Sequence, residues 1–403
     1  MMKEIVIVSA VRTPFGKYGG SLKDYSPVDL GAIVMREVIG RVNYTGQVDD
    51  VFWGVGDTAS FKDVYTPVIA RQTLLKADLA PETSSLSLDK ACVSATTAIR
   101  LGLQAILAGE AEVVIAGGVT IFSQMPLIVR NLRFAGHRMG PVVMEDPLFE
   151  LGYKDFAPVA VDAGNVALLH GVSRQEQDEW AVRSHLLYGQ AYNAGKFQAE
   201  MIPVRVPSKQ KGADGLLEID EQYRPDVSLE KLAKLSTIYG SPTCTAGNAP
   251  GLNDGATAVL LMSKSKAQSL GLPVLATVVT GVSIALEPHL LAEAPAAAIR
   301  AALTKSGLKL YDMKLLEINE AFAAVTLVSS KILADGDRGK LRELRDRLNV
   351  NGGAIAIGHA NTASGARLVM TMVHELRRRG GGYGALAICG GLAQGDAIIV
   401  RVD

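Results

Sequence analysis

Three short stretches, far apart in the 403-residue chain, each place a reactive side chain where catalysis could use it: Cys92 in DKACVSA, His359 in NVNGGAIAIGHANTASGAR and Cys389 in AICGGLAQG. Brought together, a thiol, an imidazole and a second thiol would suit a two-cysteine enzyme acting on carbon–carbon bonds. Cys92 is expected at the first turn of a helix, where the dipole and free backbone N–H groups favour thiolate over thiol. His359 stands among Gly352, Gly353, Gly358, Ala360, Ala363, Ser364 and Gly365, so backbone and ligand can approach it closely as it serves as base for Cys92. Cys389 is followed by Gly390 and Gly391, whose unencumbered N–H groups could bind an oxyanion while the second thiol acts as acid and base. Each has a plainer alternative: a small apolar residue at a helix start for Cys92, and a capping or core imidazole for His359.

The elements that must position these residues follow from hydropathy patterning. Apolar runs at 5–11, 50–56 and 85–88 read as buried strands and alternate with helical spacing at 29–42 and 69–79, the pattern of α/β architecture. Cys92 then lies at a strand-to-helix turn: Ile99, Leu103, Ile106 and Leu107 keep helical spacing up to a stop at Gly109, and AEVVIAGG (111–118) reads as the next buried strand. The same order recurs at 347–380 and 383–391, so the chain reads as a duplicated unit offset by roughly 270 residues. Between the halves, repeated Pro breaks, the amphipathic stretch 173–195 and the polar KQKGADG (209–215) predict an inserted, helical and loop-rich subdomain over 120–247. The expected division is 1–119 with 248–270, 120–247, and 271–403. LLEINEAFAAV (315–325) puts Asn319 and Glu320 at the carboxyl end of a strand, where open α/β sheets hold ligands, or makes Asn319 a cap of the next helix. The charged segment 334–347 reads as solvated loop and helix.

Bulk properties exclude other classes. Lys plus Arg equals Asp plus Glu at 41 each, so no global field favours nucleic acid or an anionic membrane. No apolar run reaches the roughly 18 to 20 residues of a membrane helix, and no membrane insertion is expected. Cys92, Cys244 and Cys389 make neither a disulfide framework nor a zinc-spaced cluster, so no metal is expected. The start of the chain has no secretory pattern, which with the reduced thiols predicts a cytoplasmic location. GxGxxG after the first strand, GxxxxGK[ST] and GxSxG are all missing, which weakens dinucleotide, P-loop and serine-hydrolase readings.

Taken together, VSAVRTPFGKYGG, Cys92 before its helix, TAGNAPGLNDGA, INEAFAA, NVNGGAIAIGHANTASGAR and the terminal CGG resemble the thiolases over nearly the whole length. The resemblance implies an α/β fold of two βαβαβαββ halves in a five-layered αβαβα core, with the insertion binding coenzyme A. It implies a Cys92 nucleophile activated by His359, and a Cys389 that moves the α-proton of acetyl-CoA. His359 with a water held by Asn319 would form one oxyanion hole; the N–H groups of Cys92 and Gly391 would form the other. Phe322 and Ala246 match pantetheine-tunnel positions and Arg224 a basic residue near the nucleotide end. Acyl-CoA and CoA are the expected ligands, with CoA a substrate and no permanently bound cofactor, in a homodimer or homotetramer.

The chain departs from the family pattern at Asp89 (usually Asn), Ala95 (usually Gly), GGVTIFS (117–123; usually GGxESMS), Pro158-Val159, Pro250 (usually Ser), Ala360 within GHANTASG (usually GHPxGASG) and CGGLAQG (usually CxGGGxG). These read as changes beside the substrate, implying retained chemistry with altered acyl selectivity. Two other readings are a condensing enzyme acting in a complex or on a nonstandard donor, and an inactive acyl-CoA-binding scaffold.

Overall fold

The computed structural model describes residues 3–56, 67–149, 151–207 and 214–403. Most of the KQKGADG run therefore lies outside the described residues. The first half contributes strands β1 (Ile5–Arg12), β2 (Asp50–Val55), β3 (Ser84–Leu88), β4 (Val113–Thr120) and β5 (Asn253–Ser263). The second contributes β6 (Ala276–Ala285), β7 (Met313–Ile318), β8 (Gly382–Cys389) and β9 (Gln394–Val402). The hydrogen-bonded order is β7-β8-β9-β6-β1-β5-β4-β2-β3.

That order shows the duplication directly. In the first half β3, β2 and β4 are parallel, and β5 and β1 follow antiparallel. In the second, β7 and β8 are parallel, and β9 and β6 follow antiparallel. The counterpart of β3 survives only as a parallel bridge between Leu316 and Leu348. The halves join edge to edge where β1 meets β6, at Val6 with Thr277 and Ile7 with Ala276.

Helices α1 (Pro27–Gly40), α2 (Ile69–Lys76), α3 (Ser94–Ala108), α4 (Val159–Leu169), α5 (Arg174–Asn193), α6 (Ala294–Ser306), α7 (Ala323–Leu333) and α8 (Ser364–Arg378) complete the layers. One apolar core lies between α1, α2 and the first-half strands, and another joins α6 and α7 to the second-half strands. A third, holding Ile99 and Leu103 of α3 with Val369 and Met372 of α8, fills the space between the two sets of strands. Helix, sheet, paired helices, sheet and helix make five layers, each apolar face covered. The stretch Ala91–Ala108 is long and apolar enough to cross a membrane, contrary to the reading above. It is mostly buried, because α3 is the helix sandwiched between the sheets.

The expected helix at 29–42 begins earlier: Pro27 occupies the first turn and Ser26 Oγ accepts from Asp29 N–H, the usual chemistry of a helix start. The inserted segment does not stand apart. Ala163 of α4 and Trp180 of α5 belong to the second-half core, and α5 opens on a capping box made by Ser173 and Glu176. Buried Arg12 of β1 ties down the same segment, bonding Glu200 at 2.7 Å and Asp220 at 2.7 and 3.0 Å. In the charged stretch 334–347, Arg338–Asp346 is helical and buries Leu344.

Candidate active site

Cys92, Asn319 and Cys389 sit at or just past the carboxyl end of a strand, whereas His359 follows the short helical turn Ala354–Ile357. Cys92 follows β3 in the short turn Ala91–Val93 that leads into α3. His359 stands in the corresponding place before α8, Asn319 directly after β7, and Cys389 at the end of β8. Twofold duplication therefore turns two like corners before α3 and α8 toward one point, and His359 Nε2 lies 3.1 Å from Cys92 Sγ.

The turn around Cys92 is built by its neighbours. Ala91, at φ +50°, takes a left-handed conformation costly for a residue with a side chain. It is held there by its N–H donating to Asp89 Oδ1 at 2.9 Å and its carbonyl accepting from Ser94 Oγ at 2.7 Å. Lys90 Nζ reaches buried Asp396 of β9 at 3.0 Å, and Asp396 also accepts from Thr97 Oγ1 at 2.6 Å. The Cys92 turn is thereby locked to the strand that follows Cys389.

The environment of Cys92 reverses one expectation. Its backbone N–H favours the thiolate, but burial outweighs it and, with the neighbouring Cys389, pushes the thiol well above its ordinary range. Removal of a charged group from water costs more than a helix end returns. Cys92 thus rests as a thiol and needs a base. His359 suits that task, since burial first and the Arg367 cation second pull it down to about 3 and keep the imidazole neutral. Its Nδ1 lies 2.7 Å from Ser364 Oγ; when Nδ1 donates there, Nε2 is left with the lone pair that a base requires. The backbone is fixed too, with His359 N–H donating to Asn253 Oδ1 at 2.9 Å and Asn253 Nδ2 to the Gly16 carbonyl at 3.0 Å. Cys389 is 2% exposed and burial raises it to about 12, so it too rests protonated, ready to give a proton.

Gly390 and Gly391 differ in use. Both line the cavity over the thiols, but Gly390 N–H is spent on the Gln394 carbonyl at 2.7 Å. The two positions after it, Leu392 and Ala393, replace glycines of the resembled pattern and both hold left-handed φ values, +55° and +56°, each at a cost of about 1 to 2 kcal/mol.

Asn319 is fully buried and is not among the residues lining the cavity. It does not cap α7, whose N-cap is Phe322, which rejects that alternative. Its N–H donates to the Ala387 carbonyl at 3.0 Å and its Oδ1 accepts from buried Arg367 at 3.3 Å, which leaves Nδ2 a donor with no protein partner. A buried donor of this kind calls for a water or ligand oxygen. The adjacent Glu320 does structural work, accepting from Trp180 Nε1 and Ser184 Oγ, both at 2.8 Å, from Ile355 N–H at 3.0 Å and from Asn349 Nδ2 at 3.1 Å. Gly353 must lack a side chain because a Cβ there would come within 2.3 Å of that carboxyl carbon.

The thiols open into a cavity of about 740 Å³ lined at once by Cys92, His359, Cys389 and Gly391 and by Arg224, Ala246 and Phe322, the three residues assigned to coenzyme A. Apolar Ile121, Phe122, Met125, Leu148, Leu151 and Leu392 line it as well. Of the departures, Asp89, Thr120, Ile121, Phe122, Val159, Pro250 and Leu392 face this cavity. Ala95 and Ala360 are instead core residues, which corrects the expectation that all lie beside the substrate. Thr120 and Thr362 are hydrogen-bond partners, Oγ1 to Oγ1 at 2.9 Å, so two departures in separate motifs form one contact.

Sequence reasoning missed Asp396, Asn253, Arg367 and Tyr153. Arg367 shares its helical face with Ser364, Thr371 and His374, so periodicity did not set it apart. Among the described residues no group of three or more His, Cys, Asp or Glu is placed to hold a metal.

Comparison with known proteins agrees in length and in fold. The family models "Thiolase, N-terminal domain" and "Thiolase, C-terminal domain" match residues 5–265 and 272–402. An acetyl-CoA acetyltransferase of Syntrophomonas wolfei is 37% identical over 409 residues, covering 100% of both chains. The crystal structure of human mitochondrial 3-ketoacyl-CoA thiolase superposes with a TM-score of 0.93 at 37% identity, covering 100% of each chain. The same human protein in complex with CoA gives 0.91 at 37% identity, covering 100% of this chain and 98% of that one.

Proposed function

The chain belongs to the thiolase family, and from that premise we propose how its own residues run the reaction: 3-oxoacyl-CoA plus CoA in exchange for acyl-CoA plus acetyl-CoA. It is an acyltransferase acting on acyl-CoA, and coenzyme A is its ligand. The observation that carries the residue assignment is the single cavity onto which Cys92, His359 and Cys389 open together, with Nε2 at 3.1 Å from Sγ. A scaffold that only bound acyl-CoA would need none of the three.

In thiolysis Cys92 sulfur bonds to C3 of the substrate as His359 Nε2 takes the thiol proton and the carbonyl electron pair moves onto oxygen. Collapse breaks the C2–C3 bond and passes its pair to C2, which takes the proton of Cys389 and leaves as acetyl-CoA. Incoming CoA then attacks the acyl-Cys92 thioester; its proton restores Cys389 and the proton on His359 restores Cys92. Condensation is the reverse sequence. The N–H groups of Cys92 and Gly391 hold the oxyanion at C3, while the unpartnered Asn319 Nδ2 supports a water that holds the thioester oxygen with His359.

Residues 120–247 serve in this reading as the coenzyme A-binding insertion between the two halves, with Arg224 toward the nucleotide and Ala246 and Phe322 along the pantetheine. A homodimer or homotetramer is supported by β3, where Leu86 is 47% exposed on a strand whose outer edge is unpaired among the described residues. A reducing compartment such as the cytoplasm suits three free thiols.

The apolar lining and the altered GGVTIFS and CGGLAQG segments support an acyl chain longer than acetyl. Each methylene buried adds about 0.8 kcal/mol, so kcat/KM should climb roughly fourfold per carbon beyond acetoacetyl-CoA until the pocket is full. Thiolysis rates across a 3-oxoacyl-CoA chain-length series check this; acetoacetyl-CoA as the best substrate by far would defeat the selectivity reading.

A further inference from the structure

Tyr153 belongs to none of the motifs, yet it stands over the reacting atoms. It comes from the inserted segment and lines the same cavity as Cys92, Cys389 and Gly391. Its hydroxyl end rests against Gly391: a Cβ placed on that glycine would come within 2.1 Å of Tyr153 Oη and 2.7 Å of Cζ. Among the described residues the hydroxyl meets no hydrogen-bond partner, and with 38% of the residue exposed it is left to water until a ligand displaces it. Burial, and then the neighbouring Cys92, Asp89 and Cys389, push its ionisation above the ordinary tyrosine range, so the phenol keeps its proton. A protonated donor without a partner, at the rim of an oxyanion site, is placed to meet an oxygen that arrives with substrate.

We infer that Tyr153 is a further catalytic residue, whose hydroxyl donates to the C3 oxygen of the acyl group under attack by Cys92, joining the N–H groups of Cys92 and Gly391. This rests on the thiolase mechanism given above. Tyr153 transfers no proton: as the Cys92–C3 bond forms and the carbonyl pair becomes the oxyanion, its O–H hydrogen bond shortens, and it relaxes when the C2–C3 bond breaks and the carbonyl returns. The same hydroxyl then holds the carbonyl oxygen of acyl-Cys92. It also gives Gly391 a steric reason to lack a side chain, since any Cβ there would displace the donor.

The test is Tyr153→Phe, which keeps the ring and removes only the donor. Loss of one oxyanion donor costs about 10²- to 10³-fold where it is a principal one. For a third donor the expected fall in thiolysis kcat is about tenfold or more, with KM within about threefold and the same factor at every chain length. A residue that merely shaped the cavity would leave kcat unchanged and alter chain-length preference, and that result would overturn the inference. The second measurement needs no turnover: infrared difference spectra of the protein acylated with ¹³C-labelled acetyl-CoA should show the thioester carbonyl band at higher frequency in Tyr153→Phe than in wild type. An unmoved band would overturn the donor role. Failure of wild-type protein to form acyl-Cys92 would instead strike the thiolase mechanism itself, and so separates the two failures.

Discussion

Replacing Cys389 with alanine is expected to abolish carbon–carbon bond formation and cleavage while leaving acyl transfer onto Cys92 measurable. Cys389 makes no hydrogen bond to the Cys92–His359 pair or its supports among the described residues: the imidazole is held by Ser364 and Asn253, and the Cys92 turn by Asp89, Ser94 and the Lys90–Asp396 pair. What is lost is the buried acid, raised to about 12, that supplies the C2 proton in thiolysis and removes it in condensation. Positioned proton transfer contributes about 10²- to 10⁴-fold, and steady-state thiolysis and condensation should fall by at least that factor. Exchange of labelled CoA into acetyl-CoA uses Cys389 only to hold the proton of the CoA thiol, which ionises by itself near the ordinary thiol value of about 8.5, so it should stay within about tenfold of wild type, a small part of that range. Equal loss of exchange and condensation would place Cys389 in the acylation step and contradict the assignment.

Replacing His359 with alanine should do the opposite, removing acylation itself. Burial drives the Cys92 thiol upward, so without a base the thiolate fraction at neutral pH is very small. The expected loss in exchange is about 10³-fold or more, within the range for general base catalysis combined with a disfavoured nucleophile. The pH profile gives the sharper reading. In wild-type protein the imidazole, pulled down to about 3, is already the free base throughout the neutral range, so kcat/KM should show no acid limb near the ordinary histidine value of about 6.5. In His359→Ala the rate should rise tenfold per pH unit through neutrality, because each turnover then waits for unaided ionisation of Cys92. A pH-independent rate in the variant would show that another group does this work.

Much of this centre was legible from residue order. Cys92, Asn319 and Cys389 could be placed because each ends or closely follows an apolar strand-like run, and α/β sheets gather ligands at strand ends; His359 could be placed by its glycine-rich turn before a helix. The duplicated strand order was legible for the same reason, except that the strand around Leu348 shrinks to a single bridge, since beyond it the Asn349 side chain, at 2.9 Å from both, bonds the Ile318 N–H and carbonyl in place of a strand backbone.

Three-dimensional effects were not legible. A helix start suggested a thiolate at Cys92, but local position says nothing of how dry the site becomes when α3 and α8 pack between the sheets. Asn319 was read as a ligand-facing residue, and its neighbours Ala321 and Phe322 line the cavity where it does not; only the unpartnered Nδ2 reveals its direction of use. Tyr153 lies in a segment without hydropathy period, and nothing but the docking of that segment over Gly391 brings it to the thiols. The Thr120–Thr362 contact shows the converse: two departures that looked independent in the sequence are one hydrogen-bonded pair.

The central claim is that Cys92 carries the acyl group. Protein incubated with acetyl-CoA or a longer acyl-CoA, quenched in acid, digested and sequenced by mass spectrometry should bear the acyl mass on the peptide containing Cys92, and CoA added before the quench should remove it. An adduct on Cys389 or Cys244, or active protein with no adduct at all, would contradict the account.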